Sequence, residues 1–177
     1  MYTRDRNDVN QHPCAFVADG VMTGAIAVNS GATLTGVGSV GAITLNSGAI
    51  FLPGSTATNT AATNRTTTLT SGGLTVNSAT MTINLYGPTN YTQLVANGPV
   101  NLNNATLQVN LDYAPSASDS FQIISGTGAI TGTFNGLPNN SLIHLANNYV
   151  GRITYTGNVV TITSITKGLN GSVLLVE

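Results

Sequence analysis

Charge is what this sequence lacks most. Only 6% of its 177 residues are charged, against about a quarter in an ordinary globular chain. The basic residues Arg4, Arg6, Arg65, Arg152 and Lys167 are scattered. Binding to a phosphate backbone needs clustered Lys and Arg, so nucleic acid is not expected as a partner. Good helix formers are scarce too, with one Lys and one Glu in the whole chain. The single cysteine, Cys14, excludes an internal disulfide. There is no tryptophan, and aromatics total 6%. No run reaches the about 18 apolar residues of a spanning helix, so no transmembrane segment is expected. The opening MYTRDRNDVNQHP is polar and charged with no apolar core behind it, and no signal peptide is expected there.

What is present is aliphatic residue, Thr, Asn, Ser and Gly. At 41% hydrophobic the chain has enough apolar residues to bury a core, unlike a disordered chain. Thr, Val and Ile favour strands, while Asn, Gly and Ser favour turns. The composition predicts an all-β chain with many tight turns.

A phrase recurs. GAIAVNSGATL (residues 24–34) and GAITLNSGAIF (residues 41–51) are identical at seven of eleven positions. GGLTVNSATM (72–81) and GPVNLNNATL (98–107) repeat it more loosely. All four share a Gly, then an aliphatic residue two positions on (Ile26, Ile43, Leu74, Val100). A second aliphatic follows (Val28, Leu45, Val76, Leu102), and then Asn29, Asn46, Asn77 or Asn103. After a corner of small residues an apolar position returns (Leu34, Phe51, Met81, Leu107). Alternation with period two marks a half-buried strand, and Asn-Ser-Gly between two such runs marks a turn. Each copy therefore reads as strand, corner, strand. The twelve apolar positions are expected to point inward, and the four asparagines to stack as a ladder of amides.

The copies are spaced 17, 31 and 26 residues apart. A repeat of that length without helical pattern predicts a β-solenoid, each copy one rung. One rung buries too few residues, at about 1.5–3 kcal/mol each, to offset its ordering entropy, so rungs must stack. The polar stretch STATNTAATNRTTT (55–68) is expected to loop outward or form an irregular rung. Residues 1–23 read as an extension with a first strand or cap in CAFVADGVM, and residues 24–111 as the rungs. Residues 112–177 read as a C-terminal antiparallel β cap or small sandwich, because short strands there (FQIIS, AITGTF, SLIHLA, RITYTG, NVVTITSI) alternate with turn clusters. The tail SVLLV, with Val173, Leu174, Leu175 and Val176, is an apolar strand able to pair back on the cap or with another molecule.

Little chemistry is visible. Asp112 and Asp119 could approach across YAPSAS as a carboxylate pair for glycoside hydrolysis, but turn residues in solvent are the plainer reading. His12 and Cys14 lack a second pair of metal ligands, and His144 stands alone in a strand. GVGSVG (36–41) lacks the Lys-Ser/Thr and helix of a phosphate loop and reads as a corner. Tyr86, Tyr91, Tyr113, Tyr149 and Tyr155 share no common offset along the repeats. The sequons at Asn64, Asn90, Asn104 and Asn139 are what chance produces in a chain this rich in Asn, Ser and Thr. No catalytic residue, cofactor or metal is assigned.

The run VNSGATLTGVGSVGAITLNSGAIFLPG resembles the rung pattern of bacterial autotransporter passengers and their autotransporter-associated β-strand repeats. YTQLVANGPVNLNNATLQVNL, DSFQIISGTGAITGTFNGLP and GRITYTGNVVTIT resemble the C-terminal stretch of the same proteins. The resemblance covers about residues 24–165. It implies a right-handed parallel β-helix with a capping region, displayed extracellularly or on the bacterial cell surface. Two features depart from the family, the lack of a downstream membrane barrel and of a signal peptide. The chain is thus expected to be a fragment, or a relative exported and used differently. The expected function is a non-enzymatic structural or adhesive stem that self-assembles head to tail, its partner a second copy or a cell-surface glycan. A carbohydrate-binding or carbohydrate-cleaving β-helix domain is the alternative.

Overall fold

The computed structural model describes residues 14–54 and 67–168. The described chain is all-β apart from one 3-10 turn at Ala146–Asn148. The strands come in successive trios. The first is β1 (Ala15–Val17), β2 (Val21–Met22) and β3 (Ile26–Val28), and the second β4 (Thr33–Gly36), β5 (Ser39–Val40) and β6 (Ile43–Leu45). The third is β7 (Ile50–Pro53), β8 (Thr67–Ser71) and β9 (Leu74–Val76). The fourth is β10 (Thr80–Gly87), β11 (Asn90–Ala96) and β12 (Val100–Asn101), and the fifth β13 (Thr106–Leu111), β14 (Phe121–Gly126) and β15 (Ile130–Thr131). Each strand pairs in parallel with the strand three places later. Three parallel ladders result, each five strands deep: β1-β4-β7-β10-β13, β2-β5-β8-β11-β14 and β3-β6-β9-β12-β15. In the fourth trio β10 also turns back on β11 as an antiparallel hairpin.

Register explains the core. Leu34 pairs with Phe51 and Phe51 with Met81, so these apolar side chains form one column, with Leu107 next. Ile26, Ile43, Leu74, Val100 and Ile130 form a second column, and Val28, Leu45 and Val76 a third. Leu69, Leu94 and Ile124 form a fourth. Burial is near complete through the middle of these columns, while Ile26 and Leu107, near the two ends, are half-buried against the core.

The corners explain the repeated phrase. The N–H of Ala32 donates to the carbonyl of Asn29, and that of Ala49 to Asn46. Gly31 and Gly48 take positive φ there (76° and 79°), as the third residue of such a turn requires. In the looser copies Ser78 and Asn104 hold the left-handed conformation. The phrase begins with Gly for another reason. A β-carbon on Gly98 would stand 2.1 Å from the carbonyl oxygen of Gly72, and one on Gly128 2.4 Å from the carbonyl carbon of Gly98. Backbone lies on backbone at this corner and leaves no room for a side chain.

The last three strands are β16 (Ser141–His144), β17 (Tyr149–Thr156) and β18 (Val159–Lys167). They form an antiparallel meander joined through β18 to the free side of β14. Phe134 is buried beneath it; the Tyr155 hydroxyl accepts from the Phe134 N–H at 3.1 Å and donates to the Leu137 carbonyl at 2.9 Å.

Several sequence expectations need correction. The parallel ladders run from Ala15 to Thr131, wider than residues 24–111. FQIIS and the start of AITGTF belong to these ladders, because β14 and β15 pair in parallel with β11 and β12. Within residues 112–177 the antiparallel meander is confined to residues 141–167. GVGSVG is more than a corner, since Ser39 and Val40 make the two-residue strand β5. Each copy of the phrase covers the last strand of one trio and the first strand of the next. The middle strand of each trio carries no shared letters. Residues 55–66 of the expected loop lie outside the described residues, and Thr67 and Thr68 begin β8.

Candidate functional site

Two places stand out, one at each end of the ladders. At the N-terminal end β1, β2 and β3 pair on one side only among the described residues. Phe16 stands in register with the buried Leu34, and Met22 with the buried Val40. Both therefore occupy inward positions, yet Phe16 is 43% and Met22 40% exposed. Val21 beside them is 81% exposed, and Val17 is exposed too. Among the described residues nothing covers the core here: apolar side chains and one row of backbone hydrogen-bonding groups face outward together. Asp19 lies at the same end, its carboxylate accepting from the Val37 N–H at 3.2 Å.

The other end carries a groove of about 490 Å³. Leu111, Asp112 and Tyr113 line it from the end of β13, and Asn147, Tyr149 and Lys167 from the meander. The 3-10 turn brings the two sides together by packing on β13. Tyr149 and Lys167 are opposite each other on β17 and β18, with the ammonium 5.8 Å from the ring centroid. Asn147 is held in the left-handed conformation (φ 57°), and the Gly168 N–H donates to the Asn148 carbonyl at 2.6 Å.

Tyr113 is fixed from behind. Its hydroxyl donates to Asp119 at 2.7 Å, and its ring meets Phe121 edge-on at 6.3 Å. Asp119 also accepts from the N–H and hydroxyl of Ser116, at 3.0 and 2.8 Å. Partial burial raises the Asp119 carboxyl pKa, but these hydrogen bonds outweigh it and hold the group below its ordinary value. Burial first, then the Asp119 hydrogen bond and charge, push the Tyr113 hydroxyl upward. Burial and the nearby Asp112 charge also raise Tyr86.

Of the expected rung-core residues, Val28, Leu34, Ile43, Leu45, Phe51, Leu74, Val76, Met81, Val100 and Leu102 are buried. Asn46 donates its side-chain amide to the Asn29 side chain at 2.8 Å, while Asn77 and Asn103 are exposed at their own corners. A second amide pair, Asn110 to Asn84 at 2.8 Å, joins β13 to β10 and was not anticipated. Nor was the burial of Ala49, Ala79 and Ala105, though an alanine stands at that place in every copy of the phrase. Asp119 is hydrogen-bonded to Tyr113 and Ser116, and Asp112 lines the groove. His144 and Cys14 are exposed, and His12 lies outside the described residues, as do Val173, Leu174, Leu175 and Val176. Among the described residues no helix is long and apolar enough to cross a membrane.

No family model, no curated protein and no solved structure matches this chain.

Proposed function

We propose that the chain is a non-enzymatic structural or adhesive protein of the bacterial cell exterior. In this reading it is a right-handed parallel β-helix stem, and copies join end to end by strand addition. Three ladders five strands deep, with apolar columns on register, support the β-helix reading. Nearly charge-free outward positions of Thr, Asn and Ser support a stem that meets water through hydroxyls and amides. The likeness to autotransporter passengers supports the exterior location.

The observation that carries assembly is the N-terminal end of the ladders, where Phe16 and Met22 sit at inward positions yet stay exposed, with no described residue covering them. A free parallel edge with apolar side chains is a template for another strand. The donor is the apolar tail of a second copy, with Val173, Leu174, Leu175 and Val176 laid against β1 or β2. A head-to-tail contact of this kind repeats without closing and gives a filament.

Light scattering and electron microscopy of the full chain test the proposal. Filaments or a concentration-dependent ladder of sizes are expected. Deleting residues 172–177, or replacing Phe16 and Met22 together by Asp, reduces the chain to monomer. A full chain that stays monomeric at every concentration, or a tail deletion that leaves its size unchanged, sinks the assembly reading.

A further inference from the structure

Among the described residues, the groove at the opposite end brings together charged side chains, which are scarce there. The described residues hold five charged groups, Asp19, Asp112, Asp119, Arg152 and Lys167. Asp19 is bonded to backbone, as is Arg152, which donates to the Asn140 carbonyl at 2.6 Å. Asp112 and Lys167 line the groove, and Asp119 anchors the Tyr113 wall behind it. Two tyrosines stand there as well. A solvated surface would scatter such groups. Convergence of scarce polar groups on an apolar floor is the pattern of a ligand site, and such sites commonly measure about 300–1,000 Å³.

The donor and acceptor inventory selects the ligand. Asp112 as carboxylate only accepts, Lys167 as ammonium only donates, and Asn147 does both. A hydroxyl both donates and accepts, so it can bridge the carboxylate and the ammonium at once. The opposite charges of Asp112 and Lys167 largely cancel for a charged ligand, so neither an anion nor a cation gains net attraction from the pair. Leu111 and the two tyrosine walls suit the C–H face of a sugar ring, which packs on aromatic surface. The Tyr149 ring beneath the ammonium holds Lys167 in place by cation–π attraction before any ligand arrives.

We propose that this groove binds a neutral pyranose unit of a glycan, with Asp112, Asn147 and Lys167 on its hydroxyls and Leu111, Tyr113 and Tyr149 against its ring. The site lies at the end opposite the proposed assembly edge and does not depend on assembly. It gives the stem a tip that recognises sugar.

A glycan array carrying neutral and acidic oligosaccharides, probed with the full-length chain, tests this. Binding to neutral glycans is expected. Asp112→Ala and Lys167→Ala should each weaken it roughly tenfold, as loss of an anchoring group typically does. Both side chains are exposed, so both variants should keep the parent far-UV circular dichroism. A blank array overturns the proposal, as does binding confined to acidic glycans or binding that both alanine variants preserve. Phe16→Asp/Met22→Asp should leave the array pattern intact, so failure of assembly and failure of sugar binding read out separately.

Discussion

The side-chain amide of Asn46 donates to the side-chain oxygen of Asn29 at 2.8 Å, across seventeen residues of chain. The pair joins two successive copies of the repeated phrase at their corners. A double-mutant cycle with Asn29→Ala and Asn46→Ala should give a coupling of about 0.5–1.5 kcal/mol in denaturant unfolding, the usual net worth of one hydrogen bond. Strictly additive effects would show that the contact contributes nothing.

Glycine at the stacked corner is a steric requirement. Gly98→Ala places a β-carbon 2.1 Å from the Gly72 carbonyl oxygen, and a cost of about 1–3 kcal/mol or more is expected for such overpacking. Gly24→Ala is the control, because nothing lies within 4 Å of its β-carbon position; it should stay within about 0.5 kcal/mol of the parent. Equal unfolding midpoints for the two variants would contradict backbone-on-backbone stacking there.

Ser71 sits in an inward column between Val40 and Ala96, fully buried, and its hydroxyl has no hydrogen-bond partner among the described residues. Removing an unsatisfied buried polar atom relieves its desolvation cost. Ser71→Ala should therefore stabilise the chain, by about 1 kcal/mol. A lower unfolding midpoint for this variant would mean that the hydroxyl is bonded after all.

The groove wall should respond to pH in two directions. The folded-state pKa of Asp119 is depressed, so its contribution is present above the unfolded value of about 4 and is lost as pH falls through the lower folded value. Tyr113 is raised, so its contribution is complete below the unfolded value of about 10 and is lost as pH rises toward the higher folded one. The Tyr113 ring environment, followed by NMR, should be constant between those limits and change beyond each. Asp119→Asn should remove the acid limb. An unchanged acid limb in that variant would assign it to another group.

The repeated phrase made half the fold legible. A Gly, two alternating aliphatics, an Asn corner and a returning apolar residue mark β3 to β4, β6 to β7, β9 to β10 and β12 to β13. These segments carry common letters because each letter answers a local constraint: backbone close by at Gly41, Gly72 and Gly98, a left-handed corner at Gly31, Gly48, Ser78 and Asn104, a core column at the aliphatics. The middle strand of each trio carries no common letters because its constraint is looser. Ser39–Val40, Thr67–Ser71, Asn90–Ala96 and Phe121–Gly126 share only an inward apolar or small position, which many residues satisfy. The groove was illegible for a different reason. Asp112, Asn147 and Lys167 are far apart in sequence and meet only because the 3-10 turn packs on β13.

The meander formed by β16, β17 and β18 also has a consequence in time. Its pairs close over short stretches of chain, whereas each parallel pair must first close a full trio. Local contacts form first because they cost less chain entropy. The meander is thus expected to be the nucleus, and β14 the first parallel strand to gain an edge from it. Each earlier trio is then laid on a finished one, from the C-terminal end toward the N-terminal end. Amide hydrogen exchange should show protection falling from β18 toward β1, leaving the first trio the last to order and the first to fray.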